Sequence, residues 1–370
     1  MATAHATLAS SGVTLGSLKT LEFFDSSGGT QQALVAIPYT TSSGTAGTNV
    51  TVVQKTASGT WDIIGNQQRY NITITSALTR RQFFDTADAE YSRYDSGLGI
   101  TIPVGAAGTP NPSNLESASV TGPGIHGTAY LVPRNATGSD TLGLRESAYT
   151  APPTGNDTTD SNTNLYRWSW QALPGATATY TPPSGDLGYY TPAPIDVSTV
   201  PQFATYTVTF YDSTGTQIGQ PVSVINATPT LAASAGAGVA WQTLASSVQS
   251  DFLSPAGTQE AAQTSTSVSW SNLVNSQNLG PLVTGVQIQS VPGTGVTPTT
   301  EIDGWSTGTV TFATSGQYST TVTAGIAQNG VQACSSACQF AALQTGASRL
   351  VELNWNVGNT AYYNIWKYND

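Results

Sequence analysis

Charged residues are scarce in this 370-residue chain: only 9% are Asp, Glu, Lys or Arg, against about 25% in an average soluble domain. The net charge is −10, and no Lys or Arg occurs between Arg167 and Arg349. A negative chain without a basic cluster repels phosphate backbones, so we expect no nucleic-acid partner. The sequence also lacks a run of about 18 apolar residues, so we expect no membrane span.

Histidine and cysteine are nearly absent, with two residues of each. Most nucleophilic triads use a histidine base, and zinc sites use histidine and cysteine, so this scarcity disfavours both kinds of chemistry. His5 and His126 both precede the one Gly-x-Ser-x-Gly match, which is centred on Ser306. A predicted strand follows this match where a nucleophile elbow would need a helix. The sequence therefore predicts a non-enzymatic protein.

Hydroxyl side chains are abundant, since 57 Thr and 39 Ser make up 26% of the chain, and 16 Tyr, 9 Phe and 8 Trp supply large core residues. Apolar and polar residues alternate along most of the chain, which predicts strands, among them two separate strands at Tyr70–Thr75 and Arg80–Asp85. Only Trp241–Phe252 has helical spacing. We expect an all-β protein with two or three β-sandwich domains of the immunoglobulin-like or Greek-key type and at most one short helix.

Two stretches of small or polar residues indicate domain boundaries. Residues 151–164 form a polar run with Pro and Gly, and residues 231–239 are mostly Ala and Gly. These runs predict an N-terminal β-sandwich over residues 1–150, a linker and middle β segment over 151–230, and a C-terminal sandwich over 231–370. The middle segment could complete a neighbouring sandwich.

The closing stretch carries a resemblance to a known fold. Leu353-Asn354-Trp355 is followed by Tyr362-Tyr363-Asn364-Ile365-Trp366. These segments resemble the Leu-x-Trp and Tyr-x-Ile patterns of fibronectin type III and related immunoglobulin-like modules of extracellular proteins, over about 20 residues. The resemblance implies a β-sandwich for the C-terminal region and implies no particular function.

Cys334 and Cys338 are four residues apart. We expect them to form a structural disulfide, which requires a turn because an extended strand would separate their Cα atoms by about 13 Å. Two free thiols are the alternative.

Calcium is the one cofactor that the sequence allows. Asp157 and Asp160 lie in an acidic, oxygen-rich loop of the kind that can bind Ca²⁺. The loop lacks the Gly and the bidentate Glu of an EF-hand, so we otherwise expect no cofactor and no metal.

Glu301 and Asp303 are the best candidates for carboxylate chemistry. If extended, they lie on one face beside Trp305, as a glycosidase pair or half of one would. The alternative, which we favour, is a solvated edge or loop before Gly304.

Aromatic rows are the most specific feature of the sequence. Tyr166, Trp168 and Trp170 occupy one face of a predicted strand, and Trp366 lies in a second row with Tyr362 and Tyr368. If exposed, the candidates Tyr166, Trp168, Trp170, Trp305 and Trp366 form stacking platforms for sugars or contact patches for a partner. If buried, they form a sandwich core, which is the interpretation we favour for these rows.

The function expected from these patterns is contact without catalysis. We expect an extracellular or cell-surface protein, its signal peptide removed, that acts by self-assembly or adhesion through β-edges and aromatic patches. Its partners are copies of itself or another surface protein. Uncharged strands such as Thr309–Ala313 and Thr320–Thr323 are candidate edges. A secreted protein that binds or cleaves glycans is one alternative, and a virion decoration or spike protein is another.

Overall fold

The computed structural model of the chain describes the following residues: 11–25, 29–42, 44, 46–63, 70, 72–85, 87–104, 115–148, 151–153, 161–176, 180–182, 187–272, 280–296, 300–306, 310–314, 316–328, 330–334, 338–357 and 360–369.

The described residues form these strands: β1 Thr14–Leu15, β2 Lys19–Asp25, β3 Gln31–Thr40, β4 Ala46–Lys55, β5 Trp61–Ile63, β6 Thr73–Phe83, β7 Arg93–Thr101, β8 Ser117–Thr121, β9 Ala129–Pro133, β10 Ala136–Thr137, β11 Leu142–Leu144, β12 Leu165–Ala172, β13 Thr205–Tyr211, β14 Val222–Ile225, β15 Thr243–Leu244, β16 Ser265–Ser271, β17 Gly285–Val291, β18 Glu301–Trp305, β19 Thr311–Thr314, β20 Gln317–Thr323, β21 Ser348–Val357 and β22 Thr360–Tyr368.

Helical structure is confined to short segments in the described part of the chain. One α-helix, α1, covers Ser246–Asp251, and 3-10 turns cover Ala89–Tyr91, Val197–Thr199 and Ala233–Gly238. The all-β prediction with one short helix is therefore confirmed. The helix is shorter than the predicted Trp241–Phe252, because Leu244 belongs to β15 and pairs with Trp270.

The chain forms two compact units. The first comprises Met1–Asn71 and Val357–Asn359, and the second comprises Ile72–Asn356 and Thr360–Asp370. In the first unit, β1 and β2 both pair with β3, which continues through β4 to β5 as the N-terminal sheet. Its core cluster consists of Ala33, Val35, Ile37 and Val53.

The second unit is built on a central sheet with the order β10-β18-β17-β21-β22-β6-β7-β12. The pairs β10–β18 and β22–β6 are parallel, and β17–β18, β17–β21, β6–β7 and β7–β12 are antiparallel. This sheet draws strands from all three ranges predicted from composition. The two compact units therefore differ from those ranges. A shift in composition marks a loop, but it does not reveal which strands pair across that loop.

Two smaller antiparallel sheets complete the second unit. The side sheet has the order β11-β9-β8-β13-β14, and the neutral sheet has the order β15-β16-β20-β19. The segment after β14 is bonded to β6: the Ser76 backbone N–H donates to Thr228 Oγ1 over 2.6 Å, and Asn226 Nδ2 donates to Ser76 Oγ over 3.0 Å.

The neutral sheet packs face to face against the central sheet as a β-sandwich. Val268, Trp270 and Val322 of the neutral sheet share one core cluster with Ile288, Val351, Leu353 and Trp366 of the central sheet. Val248 and Phe252, from α1 and its C-terminal end, belong to the same cluster. Helical spacing at 241–252 thus identified buried residues correctly, although a strand and a short helix share the segment.

Strand β6 is one continuous strand where the alternation pattern predicted two, at Tyr70–Thr75 and Arg80–Asp85. Residues between them, such as Ala77 and Leu78, are both buried although they point to opposite faces of the sheet. A strand that is covered on both faces loses its period-2 signal. The prediction for this segment was therefore wrong in its division, because the signal disappears where the strand is most buried.

Candidate functional site

The neutral sheet contains no charged residue in any of its four strands. On β16, Val268 and Trp270 point into the core, while Ser265 and Ser267 are exposed on the outer face. On β20, Val322 is buried and Thr321 is exposed in the same alternation. The outer face is therefore hydrated through hydroxyl groups, without charges that would repel a second sheet.

A row of aromatic rings crosses the neutral sheet from the core to its edge. Trp270 pairs with Tyr318, and Tyr318 pairs with Phe312. The ring centroids of Trp270 and Tyr318 are 6.1 Å apart and nearly parallel, and those of Tyr318 and Phe312 are 5.4 Å apart. Exposure rises along the row, from 1% at Trp270 to 57% at Phe312. The apolar face of the sheet thus continues into solvent at β19.

Strand β19 is an open edge in the described part of the structure, since it pairs only with β20. It carries no Lys, Glu or Pro, the residues that commonly block edge pairing. By contrast, β2, at the edge of the N-terminal sheet, carries Lys19, Glu22 and Asp25. Of the two predicted edges, the described part of Thr309–Ala313 lies at the edge, whereas Thr320–Thr323 is internal, because β20 pairs with β16 and β19.

The predicted row on β12 is interrupted by a β-bulge. Arg167 pairs with Gly97 but Ser169 pairs with Ser96, so the register shifts at Trp168. The shift places Tyr166 and Trp170 on opposite faces, so the one-face prediction was wrong: the extra residue inverts the alternation.

Tyr166 and Trp168 are core residues. Tyr166 is 2% exposed, and Trp168 is fully buried, with its Nε1 donating to Ser96 Oγ over 3.2 Å. Trp170 is half-buried, with its ring 5.5 Å from that of Tyr190. A platform of all three rings on one exposed face is therefore not formed.

The other two aromatic candidates lie in the central sheet. Trp366 is buried in the core shared with the neutral sheet. Tyr362, which lies on the same face of β22, stacks on Trp355 with a centroid distance of 5.4 Å. Trp305 is half-buried at the end of β18, opposite Gln287. Neither tryptophan lies on a strand next to that of Phe312 in the sheet order. Phe312, the large exposed ring in the described part of the neutral sheet, was not among the predicted site residues.

Glu301 and Asp303 lie on β18, which is an inner strand of the central sheet. Both carboxylates are buried and bind one guanidinium: Arg134 Nη2 contacts Glu301 over 3.2 Å, and Arg134 Nη1 contacts Asp303 over 3.0 Å. The predicted solvated edge or loop before Gly304 was wrong, because β18 is an inner strand and both carboxylates are buried. Charged residues at alternate positions suggested exposure to solvent. They belong instead to a strand whose charged face is buried against Arg134, which lies outside that strand.

A second buried ionic cluster surrounds Asp95 on β7. Its carboxylate lies 2.8 Å from Arg93, 3.2 Å from Arg167 and 3.6 Å from Arg81. Burial alone would raise the pKa of Asp95, but the three guanidinium groups together lower it below its usual range. These groups are contributed by three adjacent strands, so sequence spacing gave no signal of the cluster.

Glu352 is a buried acid with a raised pKa. It is buried on β21, where burial raises its pKa to about 7 despite the opposing influence of a hydrogen bond from Asn354 and the charges of Arg81 and Arg134. Asn354 Nδ2 donates to Glu352 Oε1 over 3.1 Å. The sequence carries no signal for this residue, since one Glu between Val351 and Leu353 has the pattern of an ordinary outward-facing position.

Cys334 and Cys338 form the predicted disulfide, with their Cα atoms 6.0 Å apart. The calcium candidates Asp157 and Asp160 lie outside the described residues. Among the described residues, no group of three or more His, Cys, Asp or Glu side chains could hold a metal ion. No described helix has the length and apolar character needed to cross a bilayer.

No protein-family model, no curated protein and no solved structure matches this chain. The resemblance of the C-terminal region to fibronectin type III modules therefore stays a prediction.

Proposed function

We propose that this chain is a non-enzymatic extracellular surface or structural protein that self-assembles through the edge of its neutral sheet at β19. The observation that carries the proposal is an uncharged edge strand that leaves Phe312 57% exposed. The disulfide and the hydroxyl-rich composition support an extracellular location. Assembly on a virion is the alternative location for the same contact.

The physical step is the addition of a strand to β19. An added strand would pair with the open backbone edge and cover the Phe312 ring, extending the row that begins at Trp270. Burying one Phe side chain contributes about 1.5–3 kcal/mol, which is less than association costs in lost rigid-body freedom. The contact is therefore weak between free molecules and becomes effective where many copies are held together on a surface.

A second copy of the chain is the partner that fits this edge best. The whole molecule has a net charge of −10, which opposes association, but the neutral sheet contributes none of that charge. Two copies of β19 in antiparallel register about a two-fold axis would place Phe312 against Phe312. The same edge could instead accept a strand of another surface protein, which would make the contact adhesive.

The test is sedimentation velocity of the purified protein over a wide concentration range. We expect the wild-type chain to associate weakly and reversibly at the upper end of this range and Phe312→Lys to remain monomeric there, because a lysine at the edge opposes pairing. Thr321→Lys is the matched control. It adds the same charge to the exposed face of the internal strand β20, and we expect it to associate like the wild type.

Two results would contradict the proposal. One is a wild-type chain that shows no association in solution and none when it is attached densely to a bead or vesicle surface. The other is equal association of Phe312→Lys and the wild type, which would place the contact elsewhere on the molecule.

A further inference from the structure

A groove of about 330 Å³ lies beside α1 in the second unit. Its lining residues are Phe84, Ser246, Gln249, Ser250, Leu253, Ser254, Pro255 and Tyr368. We propose that this groove binds a segment of a neutral glycan, a function separate from association at β19.

One wall of the groove is an aromatic pair at the end of the central sheet. Lys367 on β22 is in parallel register with Phe83 on β6, and the Phe84 backbone N–H donates to the Lys367 carbonyl over 3.0 Å. Phe84 and Tyr368 therefore occupy the next neighbouring positions of the two strands. Tyr368 follows Trp366 on the same face of β22, so the aromatic row that is buried at Trp366 emerges at the groove.

The opposite wall is the polar side of α1 and the turn after it. Gln249 Nε2 donates to the Leu244 carbonyl over 3.0 Å, which fixes the plane of the side-chain amide. This contact leaves the Gln249 carbonyl oxygen as an acceptor for a ligand. Ser246 and Ser250 add exposed hydroxyl groups one helical turn apart.

The chemistry of the lining selects a neutral, hydroxyl-rich ligand. None of the eight lining residues is charged, so the lining itself offers no counter-charge to a phosphate, a carboxylate or a cation. The adjacent Asp251 carboxylate accepts a hydrogen bond from Ser250 Oγ over 3.2 Å. Two rings, Leu253 and Pro255 provide apolar surface, and an amide and serine hydroxyls provide hydrogen bonds, in the combination that positions small ligands in protein clefts. A sugar presents both kinds of surface, since its ring has apolar C–H faces and a rim of hydroxyls.

The experiment uses the full chain on an array that displays both neutral and acidic glycans, followed by calorimetric titration of the glycan that is retained. We expect a neutral glycan to be retained, and Tyr368→Ala and Gln249→Ala each to weaken its binding by about tenfold or more. Ser250→Trp fills the groove from an exposed helix position and should abolish binding. Phe23→Ala, which removes an exposed ring from the first unit, is the matched control and should bind like the wild type.

Thermal unfolding of each variant shows whether it is folded. If Tyr368→Ala does not fold, the binding measured for Ser250→Trp tests the proposal. Retention of no glycan, or of acidic glycans only, would overturn the proposal. Wild-type affinity in Ser250→Trp would also overturn it, as would loss of binding in Phe23→Ala. Association at β19 is measured without glycan, so the two proposals fail independently.

Discussion

Glu352→Gln should make the protein more stable at alkaline pH. The ordinary pKa of this side chain is 4.5, and burial raises it to about 7 in the folded chain. A raised pKa means that the folded state holds the proton more tightly than the unfolded state, so stability falls as pH rises from 4.5 towards 7 and stays low above it. At about 1.4 kcal/mol per pKa unit, the difference corresponds to about 3 kcal/mol. Gln keeps the oxygen that accepts from Asn354 and removes the charge.

The assay is urea unfolding at a series of pH values from 4 to 9, followed by tryptophan fluorescence. Seven of the eight tryptophans lie in the second unit, so the signal reports mainly on the unit that contains Glu352. We expect the wild type and Glu352→Gln to have the same free energy of unfolding at the acidic end and to diverge by about 3 kcal/mol at the alkaline end. Glu22→Gln, at an exposed position, controls for the substitution itself. A constant difference across this range would refute the reasoning, because it would show that the proton on Glu352 is not linked to folding.

Three further predictions concern stability and can be checked by the same unfolding measurement. Arg134→Met should lower the free energy of unfolding by about 3–5 kcal/mol, since it leaves Glu301 and Asp303 buried without the guanidinium that binds both. A loss below about 1 kcal/mol would contradict the buried ion pairs. Trp168→Ala should lower the free energy of unfolding by about 3–5 kcal/mol, because it removes a buried ring from the core. Sedimentation should show that the folded fraction still associates. Unchanged stability would mean that the ring is not part of the core. Gly325→Ala should lower the Tm, because the residue has a φ of 78° and a Cβ there would lie 2.5 Å from a disulfide sulfur; an unchanged Tm would show that the turn has room for a methyl group.

Local patterns predicted the fold class because most strands have one polar face. The hairpin of β13 and β14 is an example: alternation marks its strands, and Asp212, whose carboxylate accepts from the Thr214 and Thr216 backbone N–H groups, marks its turn. Patterns failed where both faces are buried. β6 was divided in two. β18 was interpreted as a solvated edge or loop, because its charges face a buried arginine instead of water.

The sequence predicted the type of candidate site, an uncharged strand edge, but did not single out the strand that forms it. Composition predicts uncharged edges, yet only the sheet order distinguishes the edge strand β19 from its internal neighbour β20. The bulge at Trp168 cannot be inferred from aromatic spacing, and it removes the platform that regular alternation predicts. Phe312 lies in a segment of only four strand residues, too short for its alternation to show which side is covered.

The position of β22 makes the order of synthesis matter for folding. This strand joins β21 on one side and β6 on the other, and these partners lie on either side of a gap of more than 260 residues in the sequence. While the chain emerges from the ribosome, β6, β7 and β12 can pair with one another but cannot join β17, β18 and β21 until β22 has been made. Such long-range closure slows folding, and the half-sheets waiting for it expose apolar strand edges in the meantime. We therefore expect nascent copies of this protein to be most prone to associate with one another before β22 has been made.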